Sequence, residues 1–297
     1  MCSPEVAKLV RERIAKEGLT KESAPNLSRR GFLKLGGLTA TSAALAAMIA
    51  PVAAQDATAE PTAEASAGAT GEVIDLTHVF STTMPVYLPG EEPKREDYVT
   101  VENDGFYIQR WTFTEHAGTH IDAPAHFVAG AETIDNYAAD LLIAPAIVID
   151  ISAKAAENPD AALDVADIEA WESANGEIPA GSLVFMYSGW DAKWSDAAAF
   201  RNADADDVQH YPGFSAEAAA FLVEQRDIRG VGVDTLSLDP GNSATFDAHV
   251  TFLAAGKYGI EGLNNLAQIR DRPATIFVGV PRWEMGSGGP ARVLAIV

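Results

Sequence analysis

Cysteine is almost absent: the 297-residue chain has one, Cys2. No disulfide framework and no thiolate metal site can be built, so any metal must be held by nitrogen and oxygen donors. Basic side chains are also scarce, 21 Lys and Arg against 42 Asp and Glu, for a net charge of −21. The first 54 residues lean basic, so the remainder is more acidic still. A surface of that sign repels phosphates and anionic lipid headgroups, which excludes nucleic acid as a partner. It reads as a solubility or salt adaptation, with an acidic face for a basic partner as the second reading. No P-loop, no dinucleotide glycine loop and no G-x-S-x-G nucleophile elbow occurs, so phosphate cradling and a serine covalent intermediate have no support. Histidine is rare too, at six residues.

The N-terminal segment is read as an address rather than as fold. "SRRGFLK" at 28–34 precedes the weakly apolar run "LGGLTATSAALAAMIAPVAA". Paired arginines, Phe-Leu, a lysine and then an apolar stretch are similar to a twin-arginine export signal. The small residues of "VAA" at 52–54 suit a signal peptidase, and an uncleaved membrane anchor is the alternative. Residues 1–54 are therefore expected to be a signal engaging the twin-arginine export machinery. The expected location is periplasmic or extracellular. Residues 55–72, small and acidic, read as a linker unable to bury a core. Residues 73–297 read as one domain, and 47% hydrophobic content is enough for a sizeable core.

Within that domain, 106–114, 145–151, 181–188, 230–234, 274–280 and the C-terminal "ARVLAIV" have strand composition. Asp164 and Ser215 are placed to cap helices, and Ala244–Gly256 reads as a third. The irregular alternation predicts an α/β domain, not a clean βαβ repeat.

Half of the histidines fall within "HAGTHIDAPAH", residues 116–126: His116, His120 and His126, with Asp122 among them. Gly118, Thr119, Ile121 and Pro124 argue against a helix there. On an extended piece, His120 and Asp122 point to one side, and a turn at Ala117–Gly118 can bring His116 back toward them. Two imidazoles and a carboxylate make a ligand set for Zn²⁺ or Mn²⁺, and His126 lies within reach of a metal-bound water.

The run resembles H-x-G-T-H-x-D-x-P-x-H, the hallmark of the metal-dependent cyclase-like hydrolases, whose members include bacterial kynurenine formamidases and isatin hydrolases. His116, Gly118, Thr119, His120, Asp122, Pro124 and His126 occupy every fixed position. "VIDLTHVFSTTMPVY" at 73–87, "GVGVDTLSLDPG" at 230–241, "GIEGLNNL" at 259–266 and "GSGGPARVLAI" at 286–296 are similar to further family segments. The resemblance implies a swivelling β/β/α domain and metal ligation by His116, His120 and Asp122. It implies a second metal held by His249 and Glu261, which match in type and twelve-residue spacing, and proton transfer by His126. It leaves open one Mn²⁺ or two Zn²⁺, and implies a homodimer or homotetramer.

Tyr87 stands where the formamidases place a tryptophan, with Leu88 as an extra residue, and "EGL" at 261–263 replaces "ENL". Tyr87 and Ser237 are candidate substrate contacts. Asp239 is read as a substrate contact or a turn residue, and Trp190 and Trp194, with Tyr87, as core or interface residues with an aromatic pocket wall as the second reading. Arg292 is expected to pair with a carboxylate, and His78 and His210 carry no motif support. These readings add up to an exported hydrolase that uses metal-activated water to cleave a small linear or cyclic amide. The alternatives are a non-catalytic binder of metal or a small acid, and a lactonase or cyclase on the same site.

Overall fold

The structure, a computed structural model, describes residues 71–297. The expected signal, and residues 55–70 of the expected linker, lie outside the described residues. Glu72, which the sequence reading placed in the linker, exchanges two 3.0 Å backbone hydrogen bonds with Val297 and so already extends the sheet.

The described strands are β1 (Val73–Asp75), β2 (Lys94–Val99), β3 (Ile108–Thr112), β4 (His120–Asp122), β5 (Ile143–Asp150), β6 (Ala162–Leu163), β7 (Leu183–Tyr187), β8 (Gly213–Phe214), β9 (Gly230–Val233), β10 (Tyr258–Glu261), β11 (Ala274–Gly279), β12 (Gly288–Pro290) and β13 (Arg292–Ile296). Nine of them form one sheet in the order β1-β13-β11-β5-β7-β9-β10-β4-β12. The central run β5, β7, β9, β10 is parallel, and the flanking pairs are antiparallel. β12 lies at one edge, yet Ala291 alone separates it from β13, next to the other edge. That connection requires the sheet to curl until its ends approach. Two contacts tie the curl: Ala291 N donates to Thr119 O at 2.9 Å, and Asn264 N, just beyond β10, donates to Leu76 O, just beyond β1, at 2.9 Å. The α/β class expected from the sequence is the one observed. β2 and β3 pair in a separate two-stranded sheet.

The apolar runs of the parallel strands are buried on both faces, as such strands must be. Leu183 and Phe185 join the core inside the curl, with Leu76, Ile121, Ile260 and Val293. Val184 and Met186, one residue out of phase, join Val231, Val233, Leu222 and Phe252 under the helices. Three helices pack over the second core: α1 (Val165–Asn175), α2 (Ala216–Gln225) and α3 (Asp247–Ala254). Asp164 caps α1 in a capping box with Asp167, and Ser215 caps α2 through Ala218 N, both as expected. α3 begins three residues later than expected, because Phe246 adopts a left-handed conformation (φ 54°, ψ 44°) that cannot continue a helix.

Asp234, in the "GVGVD" strand end, proves to be structural. Its buried carboxylate accepts from Ser188 N, Ser188 Oγ and Trp190 N and holds the turn after β7. Burial lifts its pKa to about 6, against the pull of those donors. Asp234→Asn is expected to lower stability by roughly 2–4 kcal/mol at pH 7, since a buried orphaned donor costs about 1–3 kcal/mol. Between pH 6 and 4 the folded wild type takes up a proton that the unfolded chain does not, so acid favours its fold. The variant lacks that uptake. Urea titrations should therefore show the gap between the two widening from pH 7 to pH 4; a constant gap would deny the raised pKa.

Candidate metal centre

The strand alternation that the sequence predicts for 120–122 is present. Ile121 is fully buried in the core, while His120 and Asp122 face the other way. Before them the chain turns at Gly118 (φ 72°), in a region where a Cβ is strained, and the turn swings His116 back. Its Nδ1 lies 2.6 Å from Asp122 Oδ1. β10 runs antiparallel to β4 with Glu261 opposite His120, so a strand pair delivers the second carboxylate to the same face. His249 comes from the first turn of α3, and His126 from the short 3₁₀ turn Pro124–His126. The His126 ring stacks on His116 with centroids 3.7 Å apart.

Distances tie the group together. His120 Nε2 is 3.3 Å from Asp122 Oδ1 and 3.4 Å from Glu261 Oε2. His249 Nε2 is 3.0 Å from Glu261 Oε1 and 3.7 Å from Asp122 Oδ2. Two triads of ligand atoms, His116–Asp122–His126 and His120–Asp122–Glu261, each lie within 4.8 Å of one another. Asp122 is common to both.

The far sides of the imidazoles are held. His120 Nδ1 bonds Gly118 O at 2.9 Å, and His249 Nδ1 bonds Asp239 Oδ2 at 2.6 Å. Such outer bonds fix the tautomer and direct each Nε2 lone pair inward. Asp239 also accepts from Ala248 N and His249 N, so it is neither the substrate contact nor merely the turn residue that the sequence suggested. It is the carboxylate that orients His249.

Burial opposes charge on Asp122, but His120 first, with His116 and His249 beside it, outweighs burial and holds the carboxyl well below its usual range. Burial likewise opposes protonation of His120, yet Asp122 and Glu261 raise it to about 9. His126 goes the other way: burial draws it down to about 4, so its imidazole is neutral near pH 7. Metal-free, the group is thus a buried anion neutralised by protons on its imidazoles. Asp122 Oδ2 is buried and has no hydrogen-bond partner. A partnerless buried carboxylate oxygen, ringed by imidazoles whose outer nitrogens are occupied, fits a divalent cation. His116, His120 and Asp122 would hold one; Asp122, His249 and Glu261 offer a second set.

The group opens onto a cavity of about 380 Å³ lined by Val86, Tyr87, Leu88, Phe127, Leu236 and Phe246 besides the ligands. Among the described residues no Lys or Arg lines it, while Glu91 and Thr114 do. Tyr87 and Ser237, both named from the sequence, line this cavity. The Tyr87 carbonyl is fixed by Arg201 Nε at 3.2 Å and Gln209 Nε2 at 3.1 Å. Ser237 Oγ accepts from Asp239 N, which leaves its proton for the cavity. Trp190 and Trp194 do not line it: Trp190 is core, with Nε1 bonded to Phe200 O, and Trp194 stacks on His78 at 3.9 Å. Arg292 pairs with Asp75, and His210 with Asp160, both away from the cavity.

Sequence reasoning missed Phe127 and Phe246. The Phe127 ring stacks on His249 at 4.7 Å, and Phe246 lies 5.7 Å from Phe127 and 6.4 Å from Tyr87. Phe246 owes its position to its left-handed backbone, a strained state that clusters at functional sites. A lone phenylalanine in an apolar run gives no sequence signal of that.

Residues 74–240 match the family described as "Putative cyclase". The isatin hydrolase of Roseibium aggregatum is 35% identical over 243 residues, which cover 76% of this chain and 92% of the relative. The solved isatin hydrolase A of Ralstonia solanacearum superposes with a TM-score of 0.72 at 37% identity, over 76% of this chain and 92% of that one. A structure described as a potential metal-dependent hydrolase with cyclase activity superposes with a TM-score of 0.59 at 27% identity, over 76% and 97%. The chain belongs to the cyclase family of cyclase-like hydrolases.

Proposed function

We propose that the protein is a divalent-cation-dependent hydrolase of a small, non-anionic, aromatic amide, with ring opening of a cyclic amide such as isatin as its reaction type. The observation that carries this is the convergence of His116, His120, Asp122, His249 and Glu261 beside a neutral His126, under a cavity walled by aromatic and aliphatic side chains. The 35% identity to an isatin hydrolase supports the cyclic substrate. The absence of Lys and Arg from the described lining, which includes the Glu91 carboxylate, argues against an anionic substrate.

When bound, the cation supplies Lewis-acid polarisation of the carbonyl and a lowered pKa for water, to about 7. Tyr87, Phe127 and Phe246 enclose the substrate ring and exclude bulk water. The Ser237 hydroxyl is free to donate to the substrate carbonyl. His126, neutral near pH 7, accepts a proton from the attacking water at an imidazole nitrogen. The oxygen adds to the carbonyl carbon, the C–N bond breaks, and His126 returns the proton to the leaving nitrogen. From a cyclic amide the product is one ring-opened molecule that carries both the freed amine and the new carboxylate; from isatin these are an aryl amine and an α-keto acid. We place this activity outside the cytoplasm, on the export-type segment at 28–34.

The test is absorbance of isatin incubated with the purified, Mn²⁺- or Zn²⁺-loaded protein, beside a linear aryl formamide. Loss of the isatin band supports the reading. Turnover of the formamide alone moves the protein to the linear class, and turnover of neither by a stoichiometrically loaded protein overturns amide hydrolysis.

The unpartnered Asp122 Oδ2, 3.7 Å from His249, favours a second reading in which two cations would be held, one by His116, His120 and Asp122 and the other by Asp122, His249 and Glu261. On that reading His249→Ala binds half the metal of wild type. Metal content untouched by His249→Ala assigns the cation to His116, His120 and Asp122 alone.

A further inference from the structure

The Gly-Ser-Gly-Gly segment at 286–289 lies against the histidine motif. Ala123 N donates to Ser287 O at 2.8 Å, and Gly288 pairs with Asp122 across β12 and β4. A Cβ at Gly288 would fall 2.2 Å from Ile121 O and 2.9 Å from His116 Cε1; one at Gly286 would fall 2.8 Å from Glu115 Oε1. Glycine is what allows the segment to come this near. The consequence of the approach is that Ser287 reaches His116.

Proton accounting at Ser287 then has one solution. Its backbone N–H (3.0 Å) and its Oγ–H (2.6 Å) both donate to Glu115 Oε2. A serine hydroxyl has one proton, and the carboxylate takes it. Ser287 Oγ can therefore only accept from His116 Nε2, which lies 2.8 Å away. A proton thus sits on Nε2, and Nδ1, 2.6 Å from Asp122 Oδ1, is the nitrogen that faces the carboxylate and is left for a cation. His120 and His249 are held in the opposite sense: each is bonded outward through Nδ1 and presents Nε2.

We infer that Glu115 and Ser287 are positioning residues that lock His116 with its proton on Nε2, so that it ligates through Nδ1 while its neighbours ligate through Nε2. This rests on the metal reading above. The arrangement is a carboxylate acting on a ligand imidazole, with a hydroxyl interposed, and outer partners of this kind are worth about 10–100-fold in metal affinity. It also gives Glu115 and the 286–289 segment a joint task, although they lie 172 residues apart.

The experiment uses the full chain with ¹⁵N-labelled histidine, loaded with Zn²⁺ alone. Long-range proton–nitrogen spectra separate a protonated ring nitrogen from a zinc-bound one. The expected wild-type result is one ligand histidine, lost in His116→Ala, with zinc on Nδ1, and the others with zinc on Nε2. Zinc competition titrations should give roughly 10–100-fold weaker binding for Ser287→Ala, near-wild-type binding for Ser287→Thr, and an intermediate loss for Glu115→Gln. His116 metallated through Nε2, or Ser287→Ala binding zinc as wild type does, overturns the inference. Should Ser287→Ala not fold, the wild-type spectrum and Glu115→Gln decide alone. Wild type that binds no zinc, or binds it without imidazole ligands, overturns the metal reading instead, and that is seen before any variant is made.

Discussion

Asp122→Asn is expected to bind no stoichiometric metal and to lose roughly 10⁴-fold in kcat/KM. Asp122 is common to both ligand triads, it is fully buried, and one of its oxygens has no other partner. An amide at this position keeps the shape and removes the charge that a divalent cation needs. A catalytic cation supplies several kcal/mol of transition-state stabilisation, and each 1.36 kcal/mol is tenfold in rate, which gives the order of magnitude. The variant also removes the anion that raises His120 to about 9. Breaking a buried ion pair by losing one partner costs roughly 3–5 kcal/mol, so metal-free wild type should be more stable than the variant near pH 7. The same raised pKa sets the pH dependence of loading. Below about pH 9 the metal-free site keeps a proton on His120 that the cation must displace. Affinity should thus fall as pH falls, by up to tenfold per unit for each proton released. An affinity flat from pH 9 to 6 would contradict a ligand role for His120.

His126→Ala is expected to keep its full metal content and lose about 10²–10⁴-fold in kcat, the usual worth of a general acid–base. His126 stacks on His116 and belongs to one triad, so geometry alone would also allow it to be a ligand. The two roles separate cleanly in the measurement, because a ligand variant loses metal and a proton-transfer variant does not. The neutral state of His126 at neutral pH suits the second role. Burial holds His126 below its ordinary range, and protonation removes the base, so in fully loaded wild type the rate drops as pH falls through the His126 pKa on the acid side. In His126→Ala that limb should be absent. Metal lost along with His126 would make it a ligand.

Much of this site was legible because its parts are local. His116, His120, Asp122 and His126 sit within eleven residues, and a period-2 strand plus one glycine turn suffices to converge them. The buried-strand character of β7 and the caps at Asp164 and Ser215 were legible for the same reason. His249 and Glu261 entered by resemblance, and the β4–β10 pairing explains how Glu261 arrives. What could not be read were the partners made by the curl of the sheet. Glu115 and Ser287 meet only because β12 packs against β4, and nothing in either neighbourhood announces it. Asp239 reads as a turn residue in Asp-Pro-Gly, and only the docking of α3 makes it the support of His249. Trp190 and Trp194 are large aromatics near a motif, which fits a core first and a pocket wall second; packing chose the core and a stack on His78.

The most direct test of the account is elemental analysis of purified wild type beside Asp122→Asn, each after reloading with Mn²⁺ and Zn²⁺ and with near-ultraviolet dichroism to verify the fold. The account predicts at least one equivalent of divalent metal per chain in wild type and none in the folded variant. A wild-type chain that takes up no stoichiometric metal, or a variant that takes up as much, would contradict it.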